Sequence, residues 1–220
     1  MISKFKIDEI LMNIKKLNIL VIGDIMLDKY IWGDINRISQ EAPIPIIDIL
    51  STSYSIGGAG NVVANLAGLG VNVSIASILG IDEEAEIISN SLKKINVDES
   101  MILNLSNRPT TLKTRYLSQS QQVIRIDREE SRELNLENKL RLYNLIETNI
   151  DKYNGILIQS YDKGVLDEWL IKKIIKISQL KNIPVYVDPK KKNFFDFLNF
   201  KLFKPNLNEV SKALNVNITN

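Results

Sequence analysis

Two aspartates, Asp24 and Asp28, follow directly on the apolar run Ile19-Leu20-Val21-Ile22 and Gly23. Carboxylates just past a buried strand are placed to bond the hydroxyls of a sugar. The plainer alternative is a turn or helix cap, which is the favoured reading for Asp24. Asp28 beside Lys29 also reads as an exposed ion pair. The stretch "GGAGN", Gly57 to Asn61, opens a helical pattern. Glycines there let backbone N–H groups approach an anion or a hydroxyl oxygen, or simply make a turn ahead of an Ala-rich helix. The stretch is neither a Walker loop nor a full G-x-G-x-x-G.

Cationic and metal chemistry has its own candidates. Lys113 and Arg115 are two apart in a strand-like stretch and so share a face, with Arg125 further along. A shared cationic face suits a phosphate, although a solvated strand face has the same pattern. "VDPKKKN", Val187 to Asn193, puts Asp188 at a strand end with three lysines, or makes a basic turn. In "KPNLNE", Lys204 to Glu209, Asn206 and Glu209 stand three apart at a helix start. One helical turn puts them on one face, which suits a hydrated Mg²⁺ with phosphates. The same spacing is a capping box, and spacing alone favours the cap.

These residues need a frame. "NILVIGD", "VNVSIASILG", "GILIQS", "IPVYVDP" and "FKLFKPN" read as strands. Between them "AGNVVANLAGLG", "DEEAEIISNSLKKI", "LENKLRLYNLIETNI", "VLDEWLIKKIIKISQLKN" and "LNEVSKALN" read as helices. Gly70 suits a C-cap. Acids open the second helix and lysines close it, as the helix dipole favours. Alternating strands and helices predict a parallel sheet covered on both faces. Ligands of such sheets bind beyond the carboxyl ends of the strands. Asp24, Asp28, the 57–61 loop, Asp188 and Asn206 would share that rim. Two segments break the rhythm, about 30–56 and 110–128. Both read as antiparallel excursions, the second turning at "SQSQQ". Pro43 and Pro45 suit an edge strand.

Composition narrows the chemistry. The 220 residues are 45% hydrophobic with net charge +2, which suits a single domain and gives no reason to invoke nucleic acid. With no Cys and no His, acid–base work falls to Asp, Glu, Lys or Tyr. No apolar run approaches the roughly 20 residues that span a membrane. The charged, helix-like N-terminal stretch does not read as a signal peptide, so the expected location is the cytoplasm.

Taken together, "VIGDIMLDKYIWGDINRISQEAPIPI", "GGAGNVVANLAGLG", "LKTRYLSQSQQVIRID", "VDPK" and "KPNLNE" resemble the ribokinase-like (PfkB) carbohydrate kinases. The first and third stretches resemble the bacterial heptose-7-phosphate kinases among them. The resemblance implies a single domain over 1–220, an α/β fold of three α/β/α layers. Its sheet would be mainly parallel, with a small β-sheet lid that closes over the sugar and pairs with a second subunit's lid. It implies transfer of the γ-phosphoryl of ATP, with Mg²⁺, to the anomeric hydroxyl of heptose 7-phosphate, on the way to lipopolysaccharide core precursors. Carried over, Asp28, Gly57, Gly58 and Asn61 would line the sugar, with Lys113 and Arg115 near its phosphate. Asn206, Leu207, Asn208 and Glu209 would lie at the nucleotide phosphates, with Asn206 and Glu209 nearest the metal.

Two departures follow. Ser160, in "QSYDKG", stands where the family has Asp. No Gly-Ala-Gly-Asp motif, which holds the family's catalytic Asp, occurs in the chain, so the fold's C-terminal part and the base are expected beyond residue 220 and the chain alone is expected to be inactive. The alternatives are a noncatalytic sugar-phosphate-binding or dimerisation module and another kinase of the same family. Without His, a nucleotidyltransferase H-x-G-H site is excluded from this chain.

Overall fold

The computed structural model describes residues 3–119 and 121–217. Its central sheet is built from β1 (Asn18–Gly23), β4 (Asn72–Leu79), β5 (Asp98–Asn104), β8 (Gly155–Gln159), β9 (Val185–Asp188) and β10 (Leu202–Phe203). They run in the order β10-β9-β8-β1-β4-β5, and every pair is parallel. The central strands are apolar on both sides because helices cover both. Leu20 and Ile22 of β1 face a core shared with α4 (Leu136–Asn149) and α5 (Glu168–Leu180). Val21, between them, faces a second core with α2 (Ala59–Gly68) and α3 (Glu83–Lys94). That is the three-layer α/β/α sandwich, with α1 (Lys4–Ile14) outside it and α6 (Leu207–Leu214) at its end.

Local chemistry stops and starts these helices. Asp82 and Asp167 cap α3 and α5 by accepting from backbone N–H groups three residues on. The last two helices and α3 are followed by Asn in the left-handed region: Asn96, Asn182 and Asn215. Asn adopts that conformation at lower cost than most non-glycine residues. Gly70 does the same after α2, with φ of 83°. The sequence patterns place the sandwich helices, with α5 beginning at Glu168 rather than Val165 because Asp167 caps it; β5 (Asp98–Asn104) was not expected from the sequence.

The smaller sheet differs from expectation. It runs β3-β2-β6-β7, from β2 (Ile25–Ile38), β3 (Pro45–Gly58), β6 (Leu112–Ser118) and β7 (Gln121–Arg128). The first excursion therefore begins at Ile25, not Tyr30, since the chain leaves β1 and re-enters extended structure after one residue. The two hairpins are antiparallel, but β2 pairs with β6 in parallel, so the sheet is mixed. Pro45 opens β3, an edge strand, as its missing N–H requires. The turn expected over "SQSQQ" includes position 120, outside the described residues.

Gly23 is where the two sheets part. It lies beside Gln159 of β8, and a methyl group there would sit 1.9 Å from the Gln159 carbonyl oxygen. Gly23→Ala is expected to prise β1 from β8 and to cost roughly 3 kcal/mol, the upper end of overpacking penalties. Urea denaturation checks this; a variant as stable as the parent would show that the contact relaxes freely.

Candidate active site

The ends of β1, β8 and β9 and the start of α6 converge on one rim. Asp24, the first residue after β1, is buried. Its carboxylate accepts from the backbone N–H groups of Tyr161 (2.7 Å), Lys163 (3.2 Å) and Val165 (3.1 Å). Its own backbone carbonyl accepts from Ala59 N at 2.9 Å, the first residue of α2. Asp24 is thus neither a helix cap nor a local turn, as favoured from sequence. It holds a loop 137 residues away, a partner that no local pattern announces. Ser160, in the position where Asp was expected, is buried, and its N–H donates to the Asp188 carbonyl at 3.1 Å. Asp188 in turn accepts from Gln159 Nε2 at 2.7 Å.

At α6, Asn206 accepts from Glu209 N (2.9 Å) and Glu209 Oε2 accepts from Asn206 N (2.8 Å). This is the capping box that spacing favoured. Glu209 Oε1 pairs with Lys190 Nζ, whose ammonium also sits 5.2 Å over the Tyr161 ring. Burial pushes the Glu209 carboxyl up, but Lys190 and the Asn206 N–H more than offset this and it ends below its ordinary value. Leu207 and Asn208 lie exposed on the first turn. With both oxygens of its one carboxylate taken, the set does not fit direct ligation of Mg²⁺. It does fit an ion that keeps its waters, which is the ion's usual habit. Among the described residues no cluster of three or more His, Cys, Asp or Glu could hold a metal.

The smaller sheet supplies the other wall. Its register aligns Ser55, Asp28, Lys113 and Asp127 in one cross-strand row and Ser53, Tyr30, Arg115 and Arg125 in the next. Cross-strand partners point to the same side, so the two rows make one polar face. Lys113 and Arg115 do share it, as their spacing predicts, but neither is idle. Arg115 Nη1 donates to Asp28 Oδ1. Lys113 Nζ donates to Asp127 (3.1 Å) and Glu129 (3.1 Å). Glu129 also accepts from Lys163 Nζ at 2.7 Å, and Asp127 from Arg125 Nε at 3.0 Å. Charges of alternating sign thus link the sheet to the loop that Asp24 holds. Asp127 and Glu129 were not singled out from sequence; "IDREE" after a basic strand is the one available signal.

Gly57 and Gly58 bring the backbone close to both aspartates. A Cβ at Gly57 would meet Asp28 Oδ2 at 2.3 Å, and one at Gly58, where φ is 60°, would meet the Asp24 carbonyl at 2.3 Å. Asn61 follows on the first turn of α2, exposed to solvent. The geometry therefore brings Asp28, Gly57, Gly58, Lys113 and Arg115 to one lid base. Asn206–Glu209 sits across the rim, connected through Lys190 and Tyr161.

A parallel α/β/α sandwich whose ligand rim is walled by a small β-sheet is the ribokinase-like architecture. Solved structures share it: a putative phosphofructokinase from Staphylococcus aureus (14% identity, TM-score 0.70, covering 93% of this chain and 64% of that one), and Arabidopsis thaliana ribokinase complexed with ribose and ATP (15%, 0.63, 90% and 62%). The family model described as pfkB family carbohydrate kinase matches residues 16–220, and the chain belongs to that family. Its sequence is 40% identical over 206 residues to the bifunctional protein HldE of Campylobacter curvus. The match covers 94% of this chain and 44% of that protein, so the chain spans under half the length of this relative. Among the described residues no helix is long and apolar enough to cross a membrane.

The Asp24 carboxyl is pushed up by burial, partly offset by its three N–H donors, with the Asp162 charge adding to the rise. A raised native value means that its contribution to stability is fully present below the unfolded value, about 3.9, and is lost as pH rises through the native one. Asp24→Asn removes that dependence. The stability of the parent relative to the variant is expected to shrink as pH rises from about 4. Urea midpoints at several pH values test this; a constant gap would mean that Asp24 titrates as an exposed carboxylate does.

Proposed function

We propose that this chain carries the sugar-binding side of a kinase that moves the γ-phosphoryl of ATP to the anomeric hydroxyl of heptose 7-phosphate. The observation that supports it most is the polar face of the small sheet, with Asp28 at its base against Gly57. The family gives the reaction class. The heptose-kinase-like stretches 21–46 and 112–127 and the similarity to HldE favour this sugar over others. Asp28 and Asn61 hold sugar hydroxyls, the backbone at Gly57 and Gly58 lets the ring approach, and Lys113 offsets the charge of the sugar phosphate. Asn206 to Glu209 border the nucleotide phosphates, where Glu209 and Asn206 would hold a hydrated Mg²⁺ that would neutralise charge on the phosphates.

In the transfer a bond forms between the sugar oxygen and the γ-phosphorus, the bond to the ADP oxygen breaks, and the hydroxyl proton passes to a base. The rim carboxylates of this chain are committed elsewhere: Asp24 to three N–H groups, Asp28 to Arg115, Asp188 to Gln159. These contacts leave lone pairs free and do not by themselves decide the base; with no Gly-Ala-Gly-Asp motif in the sequence, we read none of them as the base and expect this chain to bind its sugar without turning it over. We also read the opposite face of the small sheet as a homodimer surface. Its rows, Tyr54-Lys29-Thr114-Ile126 and Thr52-Ile31-Tyr116-Ile124, leave Tyr54, Ile124 and Ile126 exposed.

Calorimetry with heptose 7-phosphate tests the site. Asp28→Ala and Asn61→Ala are each expected to weaken binding by roughly 1–3 kcal/mol, the cost of a lost buried hydrogen bond, with folding unaffected. Unchanged affinity in a folded variant would remove that residue from the site. A coupled ADP-release assay tests the chemistry. Background release is expected, whereas sugar-dependent turnover at a rate ordinary for kinases, about 1–100 s⁻¹, would return the base to one of these aspartates.

A further inference from the structure

We propose that Arg115 is the positioning residue of Asp28, and that it sets the carboxylate for a sugar hydroxyl rather than binding the sugar's phosphate; this rests on the sugar-kinase reading above. Arg115 stands on β6 and Asp28 on β2, 87 residues apart, in adjacent rows of the polar face. One guanidinium nitrogen, Nη1, donates to Asp28 Oδ1. The guanidinium also lies 5.4 Å over the ring of Tyr30, its own cross-strand partner. Asp28 Oδ2, on the other side, lies where only a glycine leaves room, 2.3 Å from the place a Gly57 Cβ would take. The carboxylate is thus held through Oδ1 by an ion pair from β6, while Oδ2 occupies the space that the missing Gly57 side chain leaves open. A carboxylate accepts about four hydrogen bonds, so lone pairs remain for a ligand while one oxygen is held by the ion pair.

Charge and burial favour this role over phosphate binding. The two side chains are only 16% and 21% exposed. Were Arg115 to turn to a phosphate, Asp28 would be left without its counter-charge next to a second anion. An unpaired, part-buried carboxylate is the costly state. The fork of a guanidinium can hold a carboxylate edge and stack on a ring at once, which an ammonium on a flexible stem does less well. The site therefore calls for Arg and not merely for a positive charge.

The test compares two ligands, the free heptose and its 7-phosphate, by calorimetry. Arg115→Met is expected to weaken both by the same factor, roughly 10- to 100-fold for a hydrogen bond to a charged group, so that the ratio of the two affinities stays at the parent value. Arg115→Lys should recover part of the loss. In an Asp28→Asn background Arg115→Met should cost little more, since its partner has already changed. Near-UV circular dichroism, reporting Trp32 on β2, checks that the lid folds; if Arg115→Met does not fold, Arg115→Lys gives the same ratio test. Loss confined to the phosphorylated sugar, or a full cost of Arg115→Met in the Asp28→Asn background, would overturn the proposal and make Arg115 a phosphate ligand. A parent chain that binds neither sugar would instead overturn the sugar-kinase reading, and this proposal with it.

Discussion

One buried carboxylate ties the rim together. Asp24 sits where the central sheet hands the chain to the small sheet. Its side chain fixes the 161–165 loop, its carbonyl fixes the start of α2, and its N–H donates to Gln159 at the end of β8 at 3.3 Å. A charge taken out of water is tolerated only with hydrogen-bond partners, and here the backbone supplies them. The arrangement converts a desolvation cost into a geometric constraint. The loop cannot leave without exposing three donors and stranding the acid. Arg108 reinforces it by donating to the carbonyls of Glu130 (2.8 Å) and Lys163 (2.5 Å). The lid side of the rim stands on this junction: the glycines 57 and 58, the strands that leave it, and Lys163.

Above the junction the lid is held by charges more than by apolar packing. The main core is continuous hydrocarbon on both faces of the central sheet, and below the lid it reaches only Ile25, Leu27, Ile56 and Leu112. From there outward the polar face relies on ion pairs that run from Lys163 through Glu129, Lys113 and Asp127 to Arg125. Arg115 and Arg125 face each other across β6 and β7, a like-charge pair that would repel. Asp28 and Asp127 take one each and remove the conflict. Of these pairs only Arg125–Asp127 has a half-exposed partner, and such exposed pairs contribute little stability.

How much of this was legible in the sequence depended on the range of the interaction. The five sandwich helices and most of the parallel strands follow from periodicity, caps and terminators that lie within a few residues of each element. The edge position of β3 follows from Pro45 alone. Asn206 and Glu209 were legible as a capping box for the same reason, since both partners sit on one turn. What failed was long-range. Asp24 finds donors 137 to 141 residues away, and a carboxylate after a strand looks the same whether it caps a turn or anchors a distant loop. The parallel pairing of β2 with β6 is likewise invisible to hairpin logic, because it joins two separate excursions. Lys190 read as one lysine of a basic turn, and its partners, Glu209 and Tyr161, come from two other strand ends.

The contrast between the two walls of the site bears on what each can do. On the α6 side, Glu209 and Asn206 are bound to each other and to Lys190, so the helix start arrives already ordered. Groups fixed before the ligand arrives pay no ordering cost on binding. On the lid side, the charges are paired beyond the base of strands that the core reaches only at Ile25, Leu27, Ile56 and Leu112, and the pairs span two segments of chain. The inner groups of the lid's network each have two neighbours of opposite sign: Lys113 has Asp127 and Glu129, Asp127 has Lys113 and Arg125, Glu129 has Lys113 and Lys163. Asp28 differs. Among the described residues Arg115 is its one ion-pair partner, and its other oxygen fills the space that Gly57 leaves open. On the sugar-kinase reading proposed above, that makes Asp28 the carboxylate best placed to orient a hydroxyl.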